Sequence, residues 1–234
     1  MVSLLLSYHQ AMPICAHDRL IDLSELVEVR RNSAVRISWP VIFMKAYSLV
    51  GAANPILRRW HQDFPWKHQG ESPDVVPMVA VTRRYRDDDW LFFGRFDKAD
   101  QRALDELQTR LDQYQTHPVE IAFRTQRRFS MYPRFVRRLV FWGKMNLSGN
   151  RRLKRLGTFG LTTISGAGAT IQMPPTPNTS AITYGPMDEN EQSLVTIAYD
   201  HRLMDGMTVA RLLQELDDTL HGPVLQELRE LAGS

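Results

Sequence analysis

The 234-residue sequence predicts an α/β protein of the α+β two-layer sandwich kind, a mixed sheet packed with helices, on three observations. Leu104, Leu107 and Leu111 recur at helical spacing among charged residues. Residues 75–85, 90–96 and 193–199 are rich in β-branched and aromatic side chains. The elements do not follow a regular strand-helix alternation, which disfavours a doubly wound parallel sheet.

Taken in order, Asp22-Leu23-Ser24-Glu25 opens a helix with acidic residues at its positive end. Ser38-Trp39-Pro40 offers an N-cap and an early proline for a second helix. Val41, Ile42, Met44, Ala46, Tyr47, Leu49 and Val50 then crowd too densely for a one-sided surface helix, so this one is expected in the core. Residues 75–85 and 90–96 read as paired strands around a polar turn at 86–89, and 100–114 as an amphipathic helix. Short β-like runs are expected at 158–165, 169–173 and 180–184, divided by Gly166, Gly168, Pro174, Pro175 and Pro177. Residues 193–199 give the clearest strand, 206–220 a helix with Val209, Leu212, Leu213 and Leu216 on one face, and 223–231 a last helix. No repeat or linker divides the chain, so 1–234 is expected to be a single domain.

Composition narrows the class. With 43% hydrophobic and 24% charged residues the chain is that of a folded protein with a substantial core. Its one cysteine, Cys15, forms no intramolecular disulfide and no thiolate cluster for zinc, which favours a reducing compartment. The apolar run at 2–6 has no basic residue before it and is interrupted by Tyr8, His9 and Gln10, unlike a signal peptide. The apolar stretch 39–57 carries Lys45 and two prolines and reads as a buried helix rather than a membrane span. A cytoplasmic protein is expected.

Chemistry concentrates at His201, placed at the end of a strand and before a helix, with Asp205 and Gly206 following. A histidine can accept and return a proton near neutral pH and needs an orienting group to hold its tautomer. Alone, His-x-x-x-Asp-Gly reads equally as a structural turn with Asp205 capping the helix, and Ser165 before Gly166-Ala167-Gly168 as a turn residue. Two ligands without a third make no case for a metal at His201 and Asp205, and no bound metal is expected.

Ala198-Tyr199-Asp200-His201-Arg202-Leu203-Met204-Asp205-Gly206 resembles the active-site signature of the chloramphenicol acetyltransferase-like superfamily, which includes the catalytic domain of the dihydrolipoyl acyltransferases of 2-oxoacid dehydrogenases. Thr158-Phe159-Gly160-Leu161-Thr162-Thr163-Ile164-Ser165-Gly166 resembles the strand and turn carrying that family's second catalytic hydroxyl. Pro174-Pro175 with Ala181-Ile182-Thr183-Tyr184-Gly185 resembles its paired prolines and next strand. Weaker similarity from Ile21-Asp22-Leu23-Ser24 through 39–57 extends the likeness over most of the chain.

The resemblance implies the chloramphenicol acetyltransferase-like fold and an acyltransferase using a coenzyme A thioester as co-substrate, with a small-molecule or thiol acceptor. His201 would be the general base, Ser165 the hydrogen-bond donor to the tetrahedral oxyanion, and Asp205 a residue that holds local structure. In the family these groups meet across a subunit boundary, which implies a homotrimer. The chain departs from the family at Gly166-Ala167-Gly168 and in a shorter connection from Ser165 to His201, so a catalytically degenerate trimeric scaffold is the alternative. The lipoyl and subunit-binding domains of a full dihydrolipoyl acyltransferase are not expected within these 234 residues. Asp97-Lys98-Ala99 matches the lipoylated tripeptide in letters only, and no lipoyl group is expected on this chain.

Residues 123–157 hold eleven Arg or Lys and no Asp or Glu, interleaved with Phe129, Tyr132, Phe135, Leu139, Val140, Phe141 and Trp142, and read as a basic, aromatic-rich insertion. Three readings stand: a helix with an apolar core face and solvated or paired arginines, an interfacial helix on an anionic membrane surface, or a set of arginines that meet coenzyme A phosphates. No nucleic-acid module accompanies the charge, and nucleic acid is not expected as a partner.

Overall fold

The computed structural model describes residues 12–64, 66–146, 152 and 155–233. The apolar run at 2–6, Arg151 and Lys154 lie outside them. Six strands form one mixed sheet: β1 (Ile14–Asp22), β4 (Pro77–Tyr85), β5 (Asp88–Arg95), β6 (Phe159–Leu161), β7 (Ser180–Met187) and β8 (Gln192–Asp200), in the order β1-β8-β7-β6-β4-β5. β6 runs parallel to both its neighbours and every other pair is antiparallel, so the sheet is mixed, as expected. β2 (Arg59–Gln62) and β3 (His68–Glu71) form a separate hairpin.

Helices α1 (Ser24–Asn32), α2 (Trp39–Ala53), α3 (Leu104–Thr116), α7 (Gly206–Thr219) and α8 (Leu225–Ala232) supply the apolar layer packed on one face. The α2 stretch is buried on all sides, with Val41, Ile42, Phe43, Ala46 and Tyr47 fully inaccessible. Lys45 sits in this helix without leaving a bare charge: its ammonium donates to the Asp100 and Arg102 carbonyls at 3.1 and 2.6 Å and lies 3.6 Å from Glu227. Ser38 stands at the N-cap, yet its hydroxyl meets Gln108 at 2.8 Å instead of capping. Tyr47 donates to Ser180 Oγ at 3.0 Å and ties α2 to β7.

The turn between β4 and β5 is tighter than the sequence suggests. Only Arg86 and Asp87 form it, both with positive φ (53° and 66°), as a two-residue hairpin turn requires. The expected strand at 169–173 is absent: those residues lie over the sheet as a loop, between left-handed Gly168 and the donorless Pro174-Pro175. The expected strand at 158–165 shrinks to three residues, because from Ile164 the chain turns into a 3-10 turn at Ser165–Ala167. The last helix begins at Leu225, after a kink at Gly222 and Pro223. The basic segment is helical, α5 (Arg124–Ser130) and α6 (Arg134–Asn146), following the short α4 (Val119–Ala122).

α5 and α6 cover the opposite face of the sheet from α2 and α7. Pairing places Met78, Phe93, Arg95, Gly160 and Ala181 on one common face, away from Val79, Phe92, Phe159 and Ile182 of the main core. There Phe129, Phe141 and Met145 make a second small apolar cluster with Phe93, Val140 and Leu156. Gln126 fastens α5 to the outer strand, accepting from the Phe93 amide at 3.1 Å and donating to its carbonyl at 2.6 Å.

Candidate active site

His201 leaves β8 where the strand gives way to a turn, and the turn is held from three sides. The His201 amide donates to the Pro13 carbonyl at 2.9 Å, and the Leu203 amide to the Asp200 carbonyl at 3.0 Å. Asp200 is buried, and Arg202 pairs with it through two edges, Nε to Oδ1 at 2.9 Å and Nη2 to Oδ2 at 2.7 Å. Arg202 also reaches Asp63 of the β2–β3 connection at 3.4 Å, and Asp63 lies 3.0 Å from His61 Nε2. The His61 contact, and next the His61 and Arg202 charges, hold the Asp63 carboxyl below the usual carboxylate range.

Asp205 accepts from the Thr208 amide at 2.8 Å and is the N-cap of α7. That hydrogen bond holds its carboxyl below the ordinary aspartate value. Gly206 lets β1 approach: a Cβ there would stand 2.9 Å from His17 Nε2. The His17 ring lies 5.5 Å from Tyr199, and Tyr199 lies 5.7 Å from the exposed ring of His201, so the three form a row. The Tyr199 hydroxyl and His17 Nδ1 are buried without a hydrogen-bond partner among the described residues. Burial, with Cys15 and Asp205 adding to it, pushes the Tyr199 hydroxyl up.

Ser165 sits on the 3-10 turn after β6, closed by Gly168 at φ 72°. Its amide donates to Thr163 Oγ1 at 3.0 Å, and Thr163 Oγ1 lies 3.0 Å from both Ser165 Oγ and the Tyr184 carbonyl. The Tyr184 carbonyl can only accept, so Thr163 donates to it and the Ser165 hydroxyl donates to Thr163 until an incoming oxygen draws that proton away.

One chain does not bring His201 and Ser165 together. The Asp200 amide pairs with the Thr179 carbonyl, at the start of β7, whereas Thr163 pairs with Tyr184, near the other end of that strand. Five residue steps of strand separate the two levels, about 17 Å at 3.3 Å per residue. The sequence reading assigned roles to His201, Ser165 and Asp205 and none to Arg202, Tyr199, His17 or Thr163. An aspartate at the buried end of an apolar strand needs a cation, which is the signal that Arg202 offered. Lys98 is exposed in the turn after β5, 3.9 Å from Asp74. Among the described residues no group of three His, Cys, Asp or Glu could hold a metal ion.

The mixed six-stranded sheet and its helical layer have the chloramphenicol acetyltransferase-like fold. A truncated catalytic core of the 2-oxoacid dehydrogenase complex from Thermoplasma acidophilum superposes with a TM-score of 0.67 at 14% identity, over 95% of this chain and 93% of that one. Dihydrolipoamide acetyltransferase of Azotobacter vinelandii, whose serine, histidine and asparagine were investigated for their role in catalysis, gives 0.66 at 15% identity over 94% and 86%. Chloramphenicol acetyltransferase gives 0.53 at 8% identity over 92% and 93%. No family model and no curated protein sequence matches the chain.

Proposed function

We propose that the protein is an acyltransferase, moving an acyl group from a coenzyme A thioester to a thiol, hydroxyl or amine, and that it works as a homotrimer. The observation that carries this reading is the exposed His201 ring on a turn fixed by the Asp200–Arg202 pair, in a fold whose solved examples transfer acyl groups. In the Azotobacter enzyme the asparagine follows the histidine by four positions, where this chain has Asp205.

His201 takes the acceptor's proton as the acceptor attacks the thioester carbonyl. The tetrahedral oxyanion takes a hydrogen bond from Ser165, a donor worth about 3 kcal/mol in such sites. Collapse breaks the carbon-sulfur bond, and the thiolate recovers the proton from His201. Since one chain anchors the two groups at levels of β7 about 17 Å apart by strand spacing, the reading needs Ser165 of one subunit and His201 of another.

Release of free thiol from acetyl-, hexanoyl- and dodecanoyl-coenzyme A, each with a panel of amines, alcohols and dihydrolipoamide, tests this. Turnover that His201→Ala removes while the melting curve is kept supports it. Full activity in that variant sinks the mechanism, and no turnover with any pair favours the scaffold.

A second reading, contact with a membrane surface, is favoured by the outer side of α6. Phe135, Leu139 and Trp142 stand at helical spacing there with 74, 69 and 47% of their surface exposed, among Arg134, Arg137 and Arg138. No helix among the described residues is long and apolar enough to cross a membrane, so the contact would be interfacial. Sedimentation with phosphatidylglycerol vesicles tests it: no binding at low salt dismisses it.

A further inference from the structure

A cavity that His201 does not line stands apart from its turn. It lies between α5–α6 and the sheet face opposite the main core, with a volume of about 760 Å³, within the range of small-ligand sites. Its floor is left open by two small residues on adjacent strands, Gly160 of β6 and Ala181 of β7. Its walls are apolar, with Phe93, Phe129, Val140, Phe141 and Leu156.

The charged part of the lining has one sign. Arg95, Arg124, Arg128, Lys144 and Arg155 line the cavity, and no aspartate or glutamate does. Arg95 is paired with Asp97 at 2.5 Å, but among the described residues Arg124, Arg128, Lys144 and Arg155 have no carboxylate within ion-pair distance. Lys144 is half-buried, with its ammonium 4.5 Å from the Phe129 ring centroid. Burial, and then Arg155, lowers its pKa. A cation drawn into an apolar wall beside another cation is stabilised by an anion and destabilised by its lack.

Docking of the insertion does not require these charges. Gln126 and the Phe129–Phe141–Met145 cluster already hold α5 and α6 on the sheet. Arg124, Arg128 and Arg155 are exposed at the cavity and take no part in that packing, and Lys144 lies over Phe129 with its ammonium unpaired among the described residues.

We propose that this cavity binds a single-chain anionic amphiphile, its alkyl chain along Phe129, Phe141 and Phe93 and its carboxylate or phosphate at Lys144 and Arg155. Either a free fatty acid or an alkyl phosphate presents this chemistry. The wall includes Leu161 and Thr162, which run into the Ser165 turn, so the cavity borders the proposed acyl-transfer machinery. Its occupancy does not depend on turnover: a failure of binding here and a failure of the His201→Ala test are separate results.

Isothermal titration of the intact protein with dodecanoate, dodecyl phosphate and dodecanol, each below its micelle concentration and without lipid, tests the inference. The expected result is saturable binding of at least one anionic ligand, with dodecanol about tenfold weaker or more, as loss of one charged hydrogen bond predicts. Which anion binds more tightly separates the carboxylate from the phosphate source. Lys144→Gln, checked for an unchanged melting temperature, should weaken the anion about tenfold and leave dodecanol unchanged. Equal affinity for anion and alcohol, indifference of the anion to Lys144→Gln, or binding only when vesicles are present overturns the inference. Ala181→Leu, which would fill the floor, should abolish binding of all three ligands, and unaltered binding in a folded Ala181→Leu protein overturns it too.

Discussion

Arg202 embraces Asp200 with two edges of its guanidinium, 2.9 and 2.7 Å from the two carboxylate oxygens, at the point where the backbone passes from β8 to His201. The carboxylate is 2% exposed and the guanidinium 23%. Removing the cation leaves a carboxylate in the sheet interior, and breaking such a pair costs about 3 kcal/mol or more. Arg202→Met should therefore lower the melting temperature by about 6–12 °C for a chain of this size. The double change Asp200→Leu with Arg202→Met should recover part of that loss, because no charge is then stranded. Thermal melts of the three proteins check it, and an unchanged Tm in Arg202→Met would falsify the assignment of the pair as the anchor of the turn.

The acid limb of stability should carry the mark of Asp205. Its carboxyl is depressed by the Thr208 amide, so its stabilising contribution is complete above the ordinary aspartate value near pH 4 and fades as pH falls through the lower folded-state value. Asparagine still caps a helix, whereas alanine does not. At neutral pH the order of melting temperature should be wild type, Asp205→Asn, Asp205→Ala. The gap between wild type and Asp205→Asn should close between about pH 5 and pH 3. Asp22, whose carboxylate accepts from the Ser24 amide at 2.9 Å, and Asp63 are depressed as well, so the difference between variants is the quantity to read. A gap that widens on acidification contradicts the cap.

Two glycines with left-handed backbone separate conformational strain from steric strain. Gly157 (φ 79°) and Gly168 (φ 72°) each resist a side chain by about 1–2 kcal/mol from backbone alone. At Gly168 a Cβ would meet nothing within 4 Å, while at Gly157 it would stand 2.5 Å from the Val76 carbonyl oxygen. That carbonyl cannot withdraw, since it accepts from the Thr158 amide at 2.8 Å. Gly168→Ala should cost about 1 kcal/mol and Gly157→Ala distinctly more. Urea midpoints with matched slopes measure both, and equal losses would refute the steric account.

Much of this molecule was legible in its sequence wherever one residue pattern had a single physical outcome. The crowded apolar run from Val41 to Val50 can only be buried, and it is. β8, continuous in apolar character, lies inside the sheet with neighbours on both edges. β1 was not legible, because an edge strand with exposed Asp18 and Leu20 shows no clean alternation and owes its order to its full pairing with β8. The 169–173 run misled for the opposite reason: its composition suits a strand, but the prolines after it offer no amide to a ladder. At the site, His201 and Ser165 stood out as residue types, whereas Arg202 and Tyr199 acquire their places only through the fold that buries Asp200 and brings the rings side by side.

Separation of His201 from Ser165 along the sheet leads to the sharpest test of the acyl-transfer reading. If each site takes its serine from one subunit and its histidine from the next, Ser165→Ala and His201→Ala are each defective alone, yet they are complementary. Any mixed trimer then contains one site in which a wild-type Ser165 faces a wild-type His201. Unfolding and refolding the two variants together at equal amounts makes three trimers in four mixed, each with one working site of three. The mixture should recover about a quarter of wild-type activity under closed three-fold symmetry. The measurement is thiol release by the co-refolded mixture against each variant refolded alone and against the two combined after refolding. Recovery only on co-refolding places the site between subunits. Activity no greater than the mean of the two variants, in a preparation whose mass shows mixed trimers, removes the shared site and with it the proposed roles of these two residues.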